Sequence, residues 1–218
     1  MIDFHGVTKS YSIKGKQRRI LRNLSLALPR DKNIGVIGRN GAGKSTLLQL
    51  MSGTLKPDLG TIRRHGRISW PIGFSGGFHP ALTGRQNARF IARVYGADTQ
   101  SMVAFVEEFS ELNEFLDMPI KTYSSGMRAR LAFGVSMAAR FDCYLVDEVT
   151  AVGDLKFREK CRIAFQEKLA SSQIVMVSHQ DNTLREFCQC GLVLEDGHVA
   201  YFDDIDDALR SYRAMVNS

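Results

Sequence analysis

The run Gly38-Arg39-Asn40-Gly41-Ala42-Gly43-Lys44-Ser45 spells G-x-x-x-x-G-K-[ST] and is followed by Thr46. These residue types at this spacing can hold phosphate. Glycines let successive backbone N–H groups turn inward around phosphate oxygens, and a helix opening at the end of the loop adds positive potential. The lysine reaches the β- and γ-phosphates, and the Ser45 hydroxyl can ligate Mg2+. A chance glycine-rich turn is the competing reading. The apolar segment Asn33–Ile37 leads into this loop and a helix is expected from Lys44 to about Ser52, so strand and helix both stand where the chemistry needs them.

A second group of acids completes a hydrolytic set. Cys143-Tyr144-Leu145-Val146-Asp147-Glu148 reads as an apolar strand that ends in two carboxylates. Asp147 can hold Mg2+ through its water shell. Glu148 can polarise an attacking water as general base. Alone, such a strand end is usually structural; downstream of a phosphate loop it gains meaning. Between the two lies Tyr123-Ser124-Ser125-Gly126-Met127, ahead of a helix. Read by itself, Ser-Ser-Gly is a helix cap.

The elements that must position these residues follow from the apolar pattern. Ile2–Val7 and Ile20–Leu28 read as an antiparallel β edge. Thr61–Arg64 and Arg67–Trp70 read as short strands turning at Gly66. Helical spacing runs through Gly84–Tyr95 (Phe90, Ile91, Val94), Ser101–Phe109 and Glu111–Leu116, and Pro119 interrupts it. A further helix starts near Ser124–Gly126. Strand Cys143–Val146, helix Lys156–Leu169 and strand Ile174–Ser178 restore a parallel α/β pattern. Gly191–Leu194 and His198–Phe202 form a hairpin over Asp196-Gly197, and an amphipathic helix follows. The expectation is one α/β domain over 1–218, with a core of 1–71 and 141–218 and a helical insertion over about 72–140.

Composition narrows the class. The chain has 218 residues, 44% of them hydrophobic, enough to bury a real core. No apolar run nears the roughly eighteen residues of a membrane helix. Met1-Ile2-Asp3-Phe4-His5 does not start a secretory signal, so membrane work is expected to need a partner. The four cysteines, Cys143, Cys161, Cys188 and Cys190, lack zinc or C-x-x-C spacing. Cys188 and Cys190, read as one strand, share a face and pack; a reducing cytoplasm suits them. The net charge is +6, with positive residues scattered. The densest cluster, Lys14, Lys16, Arg18 and Arg19 around Gly15, reads first as a solvated hairpin tip and second as a neighbour of anionic lipid headgroups.

In their order, these stretches resemble the ABC transporter ATPases over nearly the whole chain. Gly38–Thr46 matches the Walker A loop and Cys143–Glu148 resembles Walker B. Tyr123–Met127 resembles the signature sequence, usually Leu-Ser-Gly-Gly-Gln, with the first Leu and last Gln replaced. The resemblance implies an α/β P-loop fold of the ABC nucleotide-binding type, with an antiparallel β edge and a helical subdomain. It implies ATP and Mg2+, with Ser45 and Asp147 at the metal and Glu148 as base. Ser124, Ser125, Gly126 and Met127 would act on the ATP of a second copy. Ala151-Val152-Gly153-Asp154 falls where the D-loop belongs. His179 falls where the family has its switch histidine, a plain surface histidine being the alternative. Tyr11 falls where an aromatic ring stacks on adenine, a core-packed tyrosine being the alternative.

Within the family the chain is similar to the ATP-binding subunits of bacterial capsular polysaccharide exporters. Ser69-Trp70-Pro71-Ile72-Gly73, Gly76-Gly77-Phe78, Leu82-Thr83-Gly84-Arg85-Gln86-Asn87, Tyr123–Arg128 and Asp147–Asp154 carry that likeness. It implies an ATP-sandwich homodimer on the cytoplasmic face of the inner membrane, held there by an integral permease. The polysaccharide would be met only indirectly, nucleic acid not at all, and substrate choice is expected to lie in the permease or elsewhere. The usual glutamine loop is missing: Trp70–Phe78 has no Gln, and Gln86 is expected in the next helix. Gly73–Phe78, with Trp70 before it, is expected to meet the permease, core packing of its aromatics being the alternative. The rival functions are an exporter of another substrate and a non-transport ABC ATPase acting on nucleic acid. The latter class needs a long coiled coil or a second phosphate loop, for which the sequence offers neither.

Overall fold

A computed structural model describes residues 1–13, 15–72, 77–147, 155–169 and 172–216. The chain divides into two compact units. One comprises Met1–Pro71, Phe141–Glu148 and Ser172–Ser218; the other comprises Ile72–Arg140 and Val149–Ser171.

The first unit holds two sheets. Strands β1 (Ile2–Ile13) and β2 (Lys16–Ala27) form an antiparallel hairpin, and β4 (Leu59–Arg64) pairs with the other side of β1. The second sheet has six strands in the order β5-β6-β7-β3-β8-β9. They are β3 (Ile34–Gly38), β5 (Ile68–Ile72), β6 (Cys143–Asp147), β7 (Gln173–Val177), β8 (Cys190–Glu195) and β9 (His198–Phe202). Strands β6, β7, β3 and β8 run parallel, and β9 returns antiparallel. β3 and β7 are buried at every position, as parallel strands covered on both faces must be. Helix α1 (Lys44–Ser52) contributes Leu47, Leu48, Leu50 and Met51 to one core with Ile2, Phe4, Leu21, Val36 and Leu145. Helices α6 (Asp181–Phe187) and α7 (Ile205–Val216) complete the unit.

The second unit is helical: α2 (Gly84–Val94), α3 (Thr99–Ser110), α4 (Ser125–Ala138) and α5 (Leu155–Leu169), with 3-10 turns at Asn113–Asp117 and Ile120–Thr122. Thr83 and Gln86 start α2 as a reciprocal capping box, and the Asp98 side chain caps α3. Phe109 stacks on Phe133 with ring centroids 5.8 Å apart and meets Phe157 of α5 edge-on at 5.8 Å. The end of α3 leaves orphan carbonyls. Lys160 donates to the Glu108 and Phe109 carbonyls at 3.1 and 3.0 Å, and Arg130 to that of Ser110 at 3.4 Å. Both cations also reach the Glu111 carboxylate, at 2.9 and 3.2 Å. The Lys160 hydrogen bond chiefly holds that carboxyl below its usual range.

Several expectations need correction. The first strand runs past Val7 to Ile13. β4 and β5 are not a hairpin: Gly66, at φ 98°, turns the chain from one sheet to the other. The Asp142 carboxylate fixes that turn by accepting from Arg67 N at 2.7 Å. Cys188 and Cys190 do not share a strand. Cys188 caps the end of α6 and Cys190 opens β8, though both are buried. Phe90 and Val94 fit the helical spacing of α2 yet lie exposed, because the buried stripe is Asn87, Ala88, Ile91 and Ala92. Helix α5, placed with the core by its α/β pattern, belongs to the helical unit through Phe157 and Lys160.

Candidate functional site

Three neighbouring parallel strands build the site in the first unit. β7 lies between β6 and β3, so their carboxyl ends form one edge. Ligands in open parallel sheets bind beyond such ends. The loop Gly38–Ser45 leaves β3. Asp147, half-buried, ends β6 in register with Val177 of β7. His179, exposed, lies two residues beyond Val177. Ser178 between them is buried, and its hydroxyl accepts from Gln180 N at 3.1 Å.

The loop has the geometry of an anion cradle. Gly41 and Gly43 take φ 77° and 112°, conformations costly for any residue with a Cβ. Gly38 is held against β8, where a Cβ would come within 2.7 Å of the Leu194 carbonyl. No side chain caps α1, so the first N–H groups of that helix face the loop. Lys44 is buried and its ammonium donates to the carbonyls of Gly38 at 2.7 Å and Arg39 at 3.1 Å. Those bonds hold the charge inside the loop. Arg39, Asn40 and Ser45 are exposed; Ala42 and Thr46 are half-buried.

Tyr11 is 37% exposed, so its ring is not core packing. It lies near the tip of the β1–β2 hairpin, paired with Arg18. Asp58 anchors this stretch of β1: Oδ1 accepts from Lys9 Nζ at 2.6 Å and Oδ2 from Ser10 N at 2.7 Å. The Lys9 hydrogen bond is the main reason that the Asp58 carboxyl is held below its ordinary range. Lys9 Nζ stands 5.8 Å from the centroid of the Tyr11 ring. Arg18 Nη2 donates to the Gly41 carbonyl at 2.9 Å. No spacing rule marks Arg18, which in the sequence is one charge of a basic cluster.

The remaining candidates lie elsewhere. Ser124 caps α4 in the helical unit, where its hydroxyl accepts from Met127 N at 3.2 Å. Ser125 is exposed, and Gly126 and Met127 are half-buried. Tyr123 is buried and donates its hydroxyl to the Phe115 carbonyl at 2.5 Å, which fixes the approach to the cap. Gln86 belongs to α2, with its amide oxygen accepting from Thr83 N at 2.9 Å. Trp70 packs edge-on to Phe141 at 5.3 Å, and Phe78 is half-buried. Glu148, Asp154 and Phe74 lie outside the described residues.

Among the described residues no cluster of three or more His, Cys, Asp or Glu side chains could hold a metal. The oxygen donors at this sheet edge, Ser45 after β3 and Asp147 at the end of β6, suit an ion that completes its shell with phosphate oxygens and water, as Mg2+ does. No described helix is long and apolar enough to cross a membrane.

Residues 21–151 match the ABC transporter family. The polysialic acid transport ATP-binding protein KpsT of Escherichia coli is 46% identical over 216 residues, covering 98% of this chain and 96% of that one. The capsule polysaccharide export ATP-binding protein CtrD of Neisseria meningitidis serogroup B is 46% identical over 215 residues, covering 99% and 100%. A dimeric ATP-binding cassette in a post-hydrolysis state, bound to ADP and Pi, shares the fold with a TM-score of 0.76 at 22% identity, covering 94% of this chain and 99% of that one. A parallel sheet that presents a phosphate loop, an acid-ended strand and a histidine at one edge, together with a serine-capped helix in a helical unit, agrees with these likenesses, and the chain belongs to the ABC transporter family.

Proposed function

We propose that this chain is the ATP-binding and hydrolysing subunit of an exporter that drives capsular polysaccharide across the inner membrane through a separate permease. The observation that carries the reading is the cradle of Gly38–Ser45, intact and uncapped, in a chain alike from end to end to capsule-export ATP-binding proteins. Loop N–H groups from Gly41 to Ser45 bind the β-phosphate. Lys44 leaves the Gly38 and Arg39 carbonyls for the β- and γ-phosphates. That exchange of carbonyl partners for anions favours binding. Tyr11 stacks on the adenine. Ser45 and Asp147 would hold Mg2+, which would neutralise charge on the phosphates. Glu148 takes the proton of the attacking water, and His179 donates to the γ-phosphate. Thr46 follows Ser45 into the first turn of α1 and completes the loop.

The cap of α4 suits the same chemistry in a pair. Ser124 spends its side chain on Met127 N, which leaves other N–H groups of the first turn for an anion. Ser124, Ser125, Gly126 and Met127 of one copy thus meet the γ-phosphate on another copy, and Asp154 serves as the D-loop acid. The protein is held at the cytoplasmic face by the permease, to which Gly73–Phe78 contributes. Two measurements test the reading. Purified wild-type chain should hydrolyse ATP and a Lys44→Ala variant should not. Deleting the gene should leave finished polysaccharide inside the cell, with restoration by wild type and not by Lys44→Ala. Restored export by Lys44→Ala would refute the motor role.

A further inference from the structure

β2 runs along three glycines. Arg18, Ile20 and Arg22 each meet one of them, although a register shift between Arg19 and Leu21 leaves Ile20 as the extra residue of a bulge. Arg18 Nη2 donates to the Gly41 carbonyl at 2.9 Å. A Cβ on Gly43 would collide with Ile20 Cγ2, and one on Gly197 would come within 2.9 Å of Arg22 Cγ. Arg22 N also donates to the Gly197 carbonyl at 2.8 Å. Ile20 is buried, so its contact serves packing. Arg18 is exposed, and an exposed polar contact adds little to folding. Its value has to be sought in what it connects.

It connects two parts of the nucleotide site. Across the hairpin, Arg18 is the register partner of Tyr11. At its other end it holds the apex of the phosphate loop. A cavity of about 290 Å³ lies beside this tie, lined by Arg18, Arg19, Gly41 and Ala42 among others. Beyond Arg18 the hairpin has two more pairs, Ser12 with Gln17 and Ile13 with Lys16, before it turns at Gly15 with φ 77°. The strand that carries the Tyr11 ring is thus anchored by Asp58 at Lys9 and Ser10, and its partner strand is tied to the loop by the Arg18 guanidinium.

We propose that Arg18 is a positioning residue that sets the distance between Tyr11 and the loop apex, so that base and phosphates of one nucleotide engage together. This rests on the nucleotide site proposed above and adds to it a residue that no motif marks. A ligand with two contact points binds best when both are already in place, because ordering the second costs affinity. Without Arg18 the hairpin tip must be ordered when the nucleotide arrives. The base contact bears that cost and the phosphate contact does not.

Equilibrium binding of ATP and of inorganic tripolyphosphate, which has no base, tests this on the full chain. Arg18→Ala should weaken ATP by about fivefold, the worth of one ordinary exposed hydrogen bond. Tripolyphosphate should change by less than about twofold, as expected where no interaction is lost. Arg18→Lys should recover part of the ATP affinity. In a Tyr11→Ala background, Arg18→Ala should lose its effect on ATP, again to within about twofold. Equal losses for ATP and tripolyphosphate would make Arg18 a phosphate contact or a loop support and overturn the proposal. An undiminished loss in the Tyr11→Ala background, or no loss for ATP at all, would overturn it too. A wild-type chain that binds neither ligand would instead refute the nucleotide site itself.

Discussion

Replacing Gly43 by alanine isolates what the phosphate loop demands of its last glycine. Two costs add at this position. The backbone has φ 112° and ψ 15°, outside the regions open to residues with a Cβ, which costs on the order of 2 kcal/mol. The new methyl also strikes Ile20 Cγ2, and overpacking of that kind costs about another 2 kcal/mol. Gly43→Ala should therefore destabilise the chain by about 4 kcal/mol. Ile20 is 7% exposed, so Ile20→Ala alone should cost about 3 kcal/mol. With Ile20 truncated the collision is gone, and the added methyl enters vacated space. Gly43→Ala should then cost only the backbone share, about 2 kcal/mol, a coupling of roughly 2 kcal/mol between the sites. Urea unfolding of the four proteins, read from midpoint and slope, measures all of these terms. If the two single costs add to within about 0.5 kcal/mol, the contact with Ile20 is not what excludes a side chain at Gly43.

Other expectations follow from the same geometry. Lys44→Arg should not restore the hydrolysis lost in Lys44→Ala, because a planar guanidinium does not fit where the ammonium bonds the Gly38 and Arg39 carbonyls; steady-state ATPase rates decide it. Glu148→Gln should bind ATP and accumulate as dimers that do not turn over, seen by size-exclusion chromatography; wild-type turnover would remove Glu148 as base. Ser124→Ala should cost about 1 kcal/mol at the start of α4, measured by thermal unfolding. Asp58 has a folded pKa below its ordinary 3.8, so its support of β1 is present above that value and is lost as pH falls towards the folded one; Asp58→Asn should remove this part of the acid dependence of unfolding.

What the sequence reveals here depends on how local the cause is. The phosphate loop and the buried strands β3, β6 and β7 are written in short runs, because glycine spacing and apolar runs act within a few residues. The turn at Gly66 is not, since its geometry is set by Asp142, far along the chain, and two short strands flanking a glycine otherwise look like a hairpin. Helix α6 leaves little trace in the sequence because it has seven residues, no side-chain cap and one buried residue, Leu184. On α2, periodicity marks the helix but not its buried face. Small residues, Ala88 and Ala92, fill the buried side while Phe90 points away from it. At the site, the residues that would do chemistry are named by motif. The one that ties Tyr11 to the loop is not, because a hydrogen bond between Arg18 and a backbone carbonyl leaves no trace in spacing.

The four cysteines have a practical consequence for watching the protein at work. Each is buried. Burial raises the thiols of Cys143, Cys161 and Cys188 to about 12 and pushes Cys190 upward as well. Alkylating reagents attack thiolates, which such groups hardly populate near neutral pH. The folded chain is therefore nearly silent towards maleimide dyes and spin labels with its own cysteines in place. One cysteine introduced at an exposed position such as Ser12 would take the label alone. Its signal would follow the hairpin tip through a cycle of nucleotide binding and release, with no need to strip the native thiols from the core.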